Sequence, residues 1–271
     1  MPAPMRALIL GHALDPSANA VAAALHQRGG WQIHRHDLNA LAGARWEQRL
    51  LADGTLTTRV DIGRTDVGSC DVVFNRIGPL LALALPGWST VDRSYGQAEW
   101  LALVISWLAS LGGRVIGAPC GSSLAGPPDR LWMWMAAAAL VGLPPHFAGA
   151  TSSVRQFPPS RIAEERPELM PVMGETTMLL DRPLGHAVPA VALCDLIIVG
   201  DAVFGDIDPG PVARAACVAL AGSRNSPVLA LRLAQSAGDP CWRFVAANAM
   251  PVIDGGAPLA ALIDLMMARA A

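Results

Sequence analysis

The sequence predicts an α/β protein in two parts: a parallel sheet with crossover helices over residues 1–118, then a mixed α+β domain over 119–271. Three observations predict it. Short apolar runs of strand length alternate with helical stretches that close on Gly or Gly-Gly, the rhythm of parallel βαβ units. The Gly/Ser/Pro segment "GAPCGSSLAGPPD" (117–129) breaks that rhythm. Beyond it, strand–turn–strand patterns flank a single helix, the arrangement of an antiparallel sheet with helices on one face.

Each element has its own signal. "MRALILGH" is a continuous apolar run and reads as a buried first strand. "DPSANAVAAALHQRGG" opens on Asp-Pro and closes on Gly29-Gly30, marking both ends of a helix. "WQIHRHDL" alternates as a second strand, and a polar insertion follows with a hairpin expected around Asp53-Gly54. "CDVVFNRIG" is a third strand, apolar up to Phe74 and polar at its carboxyl end. A helix from "DRSYGQAEW" runs to Leu111 before Gly112-Gly113, and "RVIGAP" is the fourth strand. Strand ends near Gly11, Arg76 and Gly117 are expected to share one edge, where parallel sheets place ligands. In the second part, helix "RLWMWMAAAALVG" starts beside Asp129 and stops at Gly142 before Pro144-Pro145. Two strands around Gly200-Asp201, helix "GPVARAACVALAG", strands "SPVLALRLA" and "CWRFVAAN", and helix "GAPLAALIDLMMARAA" complete the chain.

Composition narrows the function classes. The net charge is −2 and no basic block occurs, which argues against a nucleic-acid partner. No apolar run reaches the roughly 18 residues of a membrane span, and "MPAPMRALILGHALDP" reads as strand entry rather than signal peptide. A cytoplasmic protein is expected. The five cysteines are scattered without a CxxC pair, as buried or half-buried free thiols would be. All 20 basic residues are arginines. A compact ammonium has no arginine substitute, so any mechanism that needs lysine is excluded.

Few residues carry chemistry on their own. No GxGxxG follows the first strand, and a Walker lysine is impossible in a chain without lysine. His34 and His36 share a strand face, but no third ligand lies near in sequence, so no metal is assigned. His12 ends the first strand and is a candidate for touching a ligand. Cys120 lies in a Gly-Ser loop, where a nucleophile would need an activating base from elsewhere.

The order of "CDVVFNRIGP", "QAEWLALVISWLASLGGRVIGAP", "DRLWMWMAAAALVGLPPHF", "IIVGDAVFGDI" and "CWRFVAANAMPVIDGGAPLAALIDLM" resembles the ATP-grasp superfamily. The resemblance is to its peptide-ligase branch, with glutathione synthetase-like, ribosomal-protein-glutamylating and microviridin-type ligases. It implies a pre-ATP-grasp-like first domain and a truncated ATP-grasp-like second domain, with a substrate contact at Arg76 beside the strand-end candidate His12. Arg130 stands where the resemblance places a nucleotide-contacting lysine, and the family's second lysine has no counterpart. The segment between Pro145 and Ile197 is short for the small subdomain that clamps ATP. The family's Glu-x-Asn pair, which holds magnesium, reads Ala246-Ala247-Asn248, and the aspartate of the preceding strand falls near Leu231.

Three readings follow. The first is a non-catalytic ATP-grasp-like protein, a binding or partner subunit in a biosynthetic or peptide-modifying pathway, with no cofactor and at most Arg130 and Asn248 left to touch a nucleotide. The second is an ATP- and Mg-dependent carboxylate–amine ligase that recruits Arg130, Asn248 and acids such as Asp195, Asp201, Asp206 or Asp208. The third is a small-molecule enzyme using Cys120 or His12. Consecutive Trp132, Met133, Trp134 and Met135 exceed what one buried helical stripe absorbs, so a homodimer or protein-partner contact is expected through Trp132 or Trp134.

Overall fold

The computed structural model describes residues 4–54, 56–77, 89–120, 123–127, 131–146 and 190–271. The chain divides into two compact units, Met1–Pro127 together with Ile253–Ala271, and Pro128–Val252.

In the first unit, β1 (Met5–Gly11), β2 (Trp31–His36), β6 (Val72–Arg76) and β7 (Val115–Ile116) form a four-stranded sheet in the order β2-β1-β6-β7. All three of its ladders are parallel. Parallel neighbours require crossovers, and the sequence supplies them as helices α1 (Pro16–Arg28) and α3 (Thr90–Ser110). The α1 start is fixed by the Asp15 carboxylate, which accepts from the Ala18 amide at 2.9 Å, followed by Pro16 in the first turn. Ser89 caps α3 by accepting from the Asp92 amide at 3.1 Å. The polar insertion is a short helix α2 (Leu38–Ala42) and a three-stranded antiparallel sheet of β3 (Arg45–Leu50), β4 (Leu56–Ile62) and β5 (Thr65–Asp66). Leu50 pairs with Leu56 across the expected hairpin.

A sheet covered on both faces buries both sets of side chains. Leu8, Leu10 and Val73 join Trp107, Leu41 and Val60 in one core, where Trp46 meets Trp107 edge-on at 5.4 Å. Ala7 and Ile9 are buried on the other face. The last helix, α6 (Gly256–Ala270), packs on α1 and β6. It buries Leu262, Ile263 and Met266. Arg269 donates to the carbonyls of Gly113 and Val115 at 2.9 and 2.8 Å, and the Ser17 hydroxyl accepts from the Ile253 amide at 2.8 Å. The sequence division at 118/119 therefore differs from the structure: the final helix returns to the first unit, and that unit extends to Pro127.

In the second unit, β8 (Ala190–Val199), β9 (Ala202–Phe204), β10 (Val228–Ser236) and β11 (Arg243–Asn248) form an antiparallel sheet ordered β11-β10-β8-β9. Helices α4 (Leu131–Leu140) and α5 (Pro211–Ser223) cover one face. Cys194, Leu196, Ile198, Leu229, Leu231, Leu233 and Phe244 point into that helical layer with Trp134, Ala138 and Leu220. The segment between Pro145 and Ile197, read from the sequence as short for the ATP-clamping subdomain, falls largely outside the described residues.

Candidate functional site

Two strand-borne groups of side chains deserve a chemical reading, one in each unit. In the first unit, Gly11 pairs with Arg76, so β1 and β6 end side by side, and β7 ends beside β6 at Gly117. The three strand ends share one edge, as the sequence predicts. Asn75, 2% exposed, organises this edge. Its amide donates to the carbonyls of Gly117 at 2.9 Å and Leu124 at 2.5 Å, and its oxygen accepts from the Ile77 amide at 3.3 Å. Gly117 sits at φ +80°, and a side chain there would overlap the Asn75 carbonyl oxygen. Only glycine meets both demands.

Arg76 is also buried, and its Nε donates to both Asp15 oxygens at 2.9 and 3.1 Å. Asp15 therefore caps α1 and pairs Arg76 at once. His12 is exposed, with Nδ1 accepting from the Leu14 amide at 3.2 Å. The two predicted substrate contacts thus lie on one edge, and Asp15 is a third member that sequence reading missed.

In the second unit, strand alternation decides which residues share a face. Ala246 pairs with Arg232, which pairs with Asp195 on the next strand. Asn248 pairs with Ala230, which pairs with Ile197. These residues occupy the sheet face opposite the helices. Arg232 donates from Nε to Asp195 Oδ1 and from Nη2 to Oδ2, both at 2.6 Å. The two side chains are 12% and 36% exposed. The Asp195 hydrogen bond pushes the Arg232 pKa up, against burial. Asn248 Oδ1 accepts from the Met250 amide at 2.9 Å.

Comparison with solved structures is decisive for the fold. The chain is similar to the macrocyclase MdnC bound with precursor peptide MdnA from Microcystis aeruginosa MRC, with TM-score 0.67, 14% identity, and 97% of this chain and 100% of that chain covered. The ATP-grasp ligase PsnB, complexed with a phosphomimetic variant of a minimal precursor, Mg and ADP, matches with TM-score 0.68 and 15% identity over 99% of both chains. A RiPP-associated ATP-grasp ligase from Chryseobacterium gregarium, in complex with ADP and a leader and core peptide, matches at 0.62 and 13% over 97% of both. The chain has the ATP-grasp peptide-ligase fold. No family model and no curated protein matches the sequence.

That fold directs attention to Ala246, Asn248 and their neighbours, where the resemblance expects magnesium ligands. Among the described residues of this face, the donor set does not fit a magnesium ion. Mg²⁺ takes oxygen ligands, with at least one carboxylate in a protein site. Here two positions are methyl groups, one is a cation, and both Asp195 oxygens are engaged by that cation. The Asn248 oxygen already accepts a backbone hydrogen bond.

The sequence register for the missing aspartate needs correction. Leu231 pairs with Ala247 and lies in the helical core, 1% exposed. The residues facing Ala246 and Asn248 are Arg232 and Ala230, because a one-residue offset moves a strand residue to the opposite face. Arg232 was legible as a lone charge inside "VLALRLA", a signal the sequence reading left unused.

Arg130 lies outside the described residues, as does Asp129. Trp134 is 3% exposed in the second core, under the Arg224 guanidinium 5.6 Å from its ring, whereas Trp132 is 57% exposed. Trp134 is thus a core residue and only Trp132 is presented at the surface. Among the described residues, no three His, Cys, Asp or Glu side chains cluster as a metal site. Burial lowers the pKa of His34 and His36, aided by Arg6 at the first and by His34 at the second. The Cys120 thiol is half-buried and donates to the Gly126 carbonyl at 3.7 Å. Burial pushes the Cys70 and Cys217 thiols up to about 11 and about 12, so neither is a nucleophile near neutral pH. Asp208 is exposed and accepts from the Gly210 amide and Arg214, each at 2.8 Å. No helix among the described residues is long and apolar enough to cross a membrane.

Proposed function

We propose that this chain is a non-catalytic protein of the ATP-grasp fold that binds a peptide or partner protein in a peptide-modifying pathway. The observation that carries the reading is the β8-β10-β11 face, where alanines and an Arg232–Asp195 pair stand in place of metal-binding carboxylates. Phosphoryl transfer is stabilised chiefly by metal ions and fixed cations on the transferring group. A chain without lysine, whose one described carboxylate on this face is held by Arg232, lacks most of that stabilisation. The peptide part of the reading is supported by MdnC and the Chryseobacterium ligase, both solved with peptides. A protein that keeps this fold without its metal ligands keeps the capacity to bind. Cytoplasmic location belongs to the same reading.

The test is steady-state phosphate release from ATP with Mg²⁺ and a glutamate-rich peptide. Release should equal the protein-free control. Turnover that Asn248→Ala or Arg130→Ala abolishes replaces this reading with an active ligase using a non-standard site.

A further inference from the structure

We propose that the outer edge of β3 pairs with the same edge of a second copy of this chain, antiparallel, about a two-fold axis at Gln48. β3 stands at the end of the sheet order β3-β4-β5. Among the described residues, no strand or isolated bridge pairs with its outer side. Arg45, Gln48, Arg49 and Leu50 are exposed, Leu50 at 74%. An unpaired edge of this kind is a template for another strand.

The existing ladder shows which backbone groups are available. A strand residue points its N–H and C=O to one side, and its neighbours point theirs to the other. The Val67 amide donates to the Val60 carbonyl at 2.8 Å, so Val60 faces β5. Val60 stands opposite Trp46 across the β3–β4 ladder. Trp46 therefore points its backbone groups away from β4, as do Gln48 and Leu50. Arg45, Glu47 and Arg49 point theirs inward, to β4.

The side chains choose the partner and the register. The strand "RWEQRL" is complementary to itself when Gln48 lies opposite Gln48. Glu47 then faces the partner's Arg49, and Arg49 faces the partner's Glu47. On the other side of the sheet, Trp46 faces the partner's Leu50 and covers it. Trp46, Gln48 and Leu50 make the hydrogen-bonded pairs, each exchanging two bonds. Centring the pairing on Glu47 or on Arg49 sets like charges directly opposite, which destabilises a sheet. Centring it on Trp46 opposes Arg45 and Glu47 but leaves Leu50 bare. Within one copy, Glu47 Oε1 accepts from Arg49 Nε at 2.6 Å, and the two side chains are 41% and 70% exposed. Pairing across the axis exchanges that contact for an equivalent one and leaves neither charge alone. One patch serves both copies, so the assembly closes at two.

Sedimentation velocity of the full chain from a few to several hundred micromolar, with hydrogen exchange at both ends of that range, tests this. The chain should dimerise as concentration rises. The Trp46, Gln48 and Leu50 amides should gain protection with it, while those of Glu47 and Arg49, already facing β4, should not. Gln48→Pro removes the central outward N–H and no β3–β4 bond, and should abolish the dimer. Glu47→Arg and Arg49→Glu should each weaken self-association about tenfold, because each sets like charges opposite one another at two symmetric positions. An equimolar mixture of those two variants should dimerise again, as a heterodimer, which misfolded chains would not do. A chain that stays monomeric throughout, a dimer that survives Gln48→Pro, a mixture that fails to pair, or a dimer lost in Trp132→Ala instead overturns the proposal. The proposed function stands or falls separately, on magnesium-dependent turnover.

Discussion

At the scale of single residues, burial separates side chains that look equivalent in sequence. Trp132 and Trp134 are two positions apart on an uncharged helix, yet one is 57% exposed and the other 3%. Truncating the buried ring removes its contacts with the second core and opens a cavity. Trp134→Ala should cost about 3–5 kcal/mol, as large-to-small changes in cores do. Trp132→Ala should stay within about 0.5 kcal/mol in the monomer, the usual range for surface substitutions. Urea denaturation of both variants checks the pair, and equal losses would contradict the assignment. If Trp132 serves the proposed partner surface, light scattering should show an assembly at tens of micromolar that Trp132→Ala dissociates. The sequence announced an excess of large apolar residues on this helix. Which ring faces inward depends on the helix's rotation against β10 and β11, and that is a packing outcome.

At the scale of elements, the polar carboxyl end of β6 shows how one buried side chain builds a site edge. Asn75 satisfies the Gly117 and Leu124 carbonyls and the Ile77 amide, all from 2% exposure. Leucine has the same number of side-chain heavy atoms, branched at the same carbon, and none of the donors. Asn75→Leu should therefore leave two carbonyls and one amide without partners, at about 1–3 kcal/mol for each group that stays dry. The expected outcome is a clear drop in melting temperature with loss of amide protection at 117–126, read by hydrogen exchange. Retained protection there would show that the loop is held by other contacts. The strand and its apolar body were legible from "CDVVFNRIG", because buried parallel strands are continuous apolar runs. The role of Asn75 was not, since its partners lie 42 and 49 residues away in sequence.

At the scale of the whole molecule, the order of the chain and the grouping of its elements part company. α6 follows β11 in sequence but belongs with β1, β6 and α1. Its three buried side chains, Leu262, Ile263 and Met266, contribute about 1.5–3 kcal/mol each by burial. That sum is comparable to the whole stability margin of an ordinary domain. A chain ending at Val252 should lose the first unit while the second stays folded. Hydrogen exchange would then show β1 and β6 amides unprotected and β8 and β10 amides protected. Equal protection of both units in the shortened chain would refute the assignment.

The sequence by itself determined the strands of both sheets, the crossovers that make the first sheet parallel, the shared edge at Gly11, Arg76 and Gly117, and the absence of lysine chemistry. These are local properties: apolar period, cap residues and composition. The tertiary structure decided where the last helix packs, that Trp134 is core, and that Arg232 rather than Leu231 faces Ala246 and Asn248. Each of these depends on register or rotation between elements distant in sequence. A strand's alternation fixes which residues share a face, but only its pairing with a neighbour fixes what they meet. That is why the Arg232–Asp195 pair, 37 residues apart, became visible only in the folded sheet.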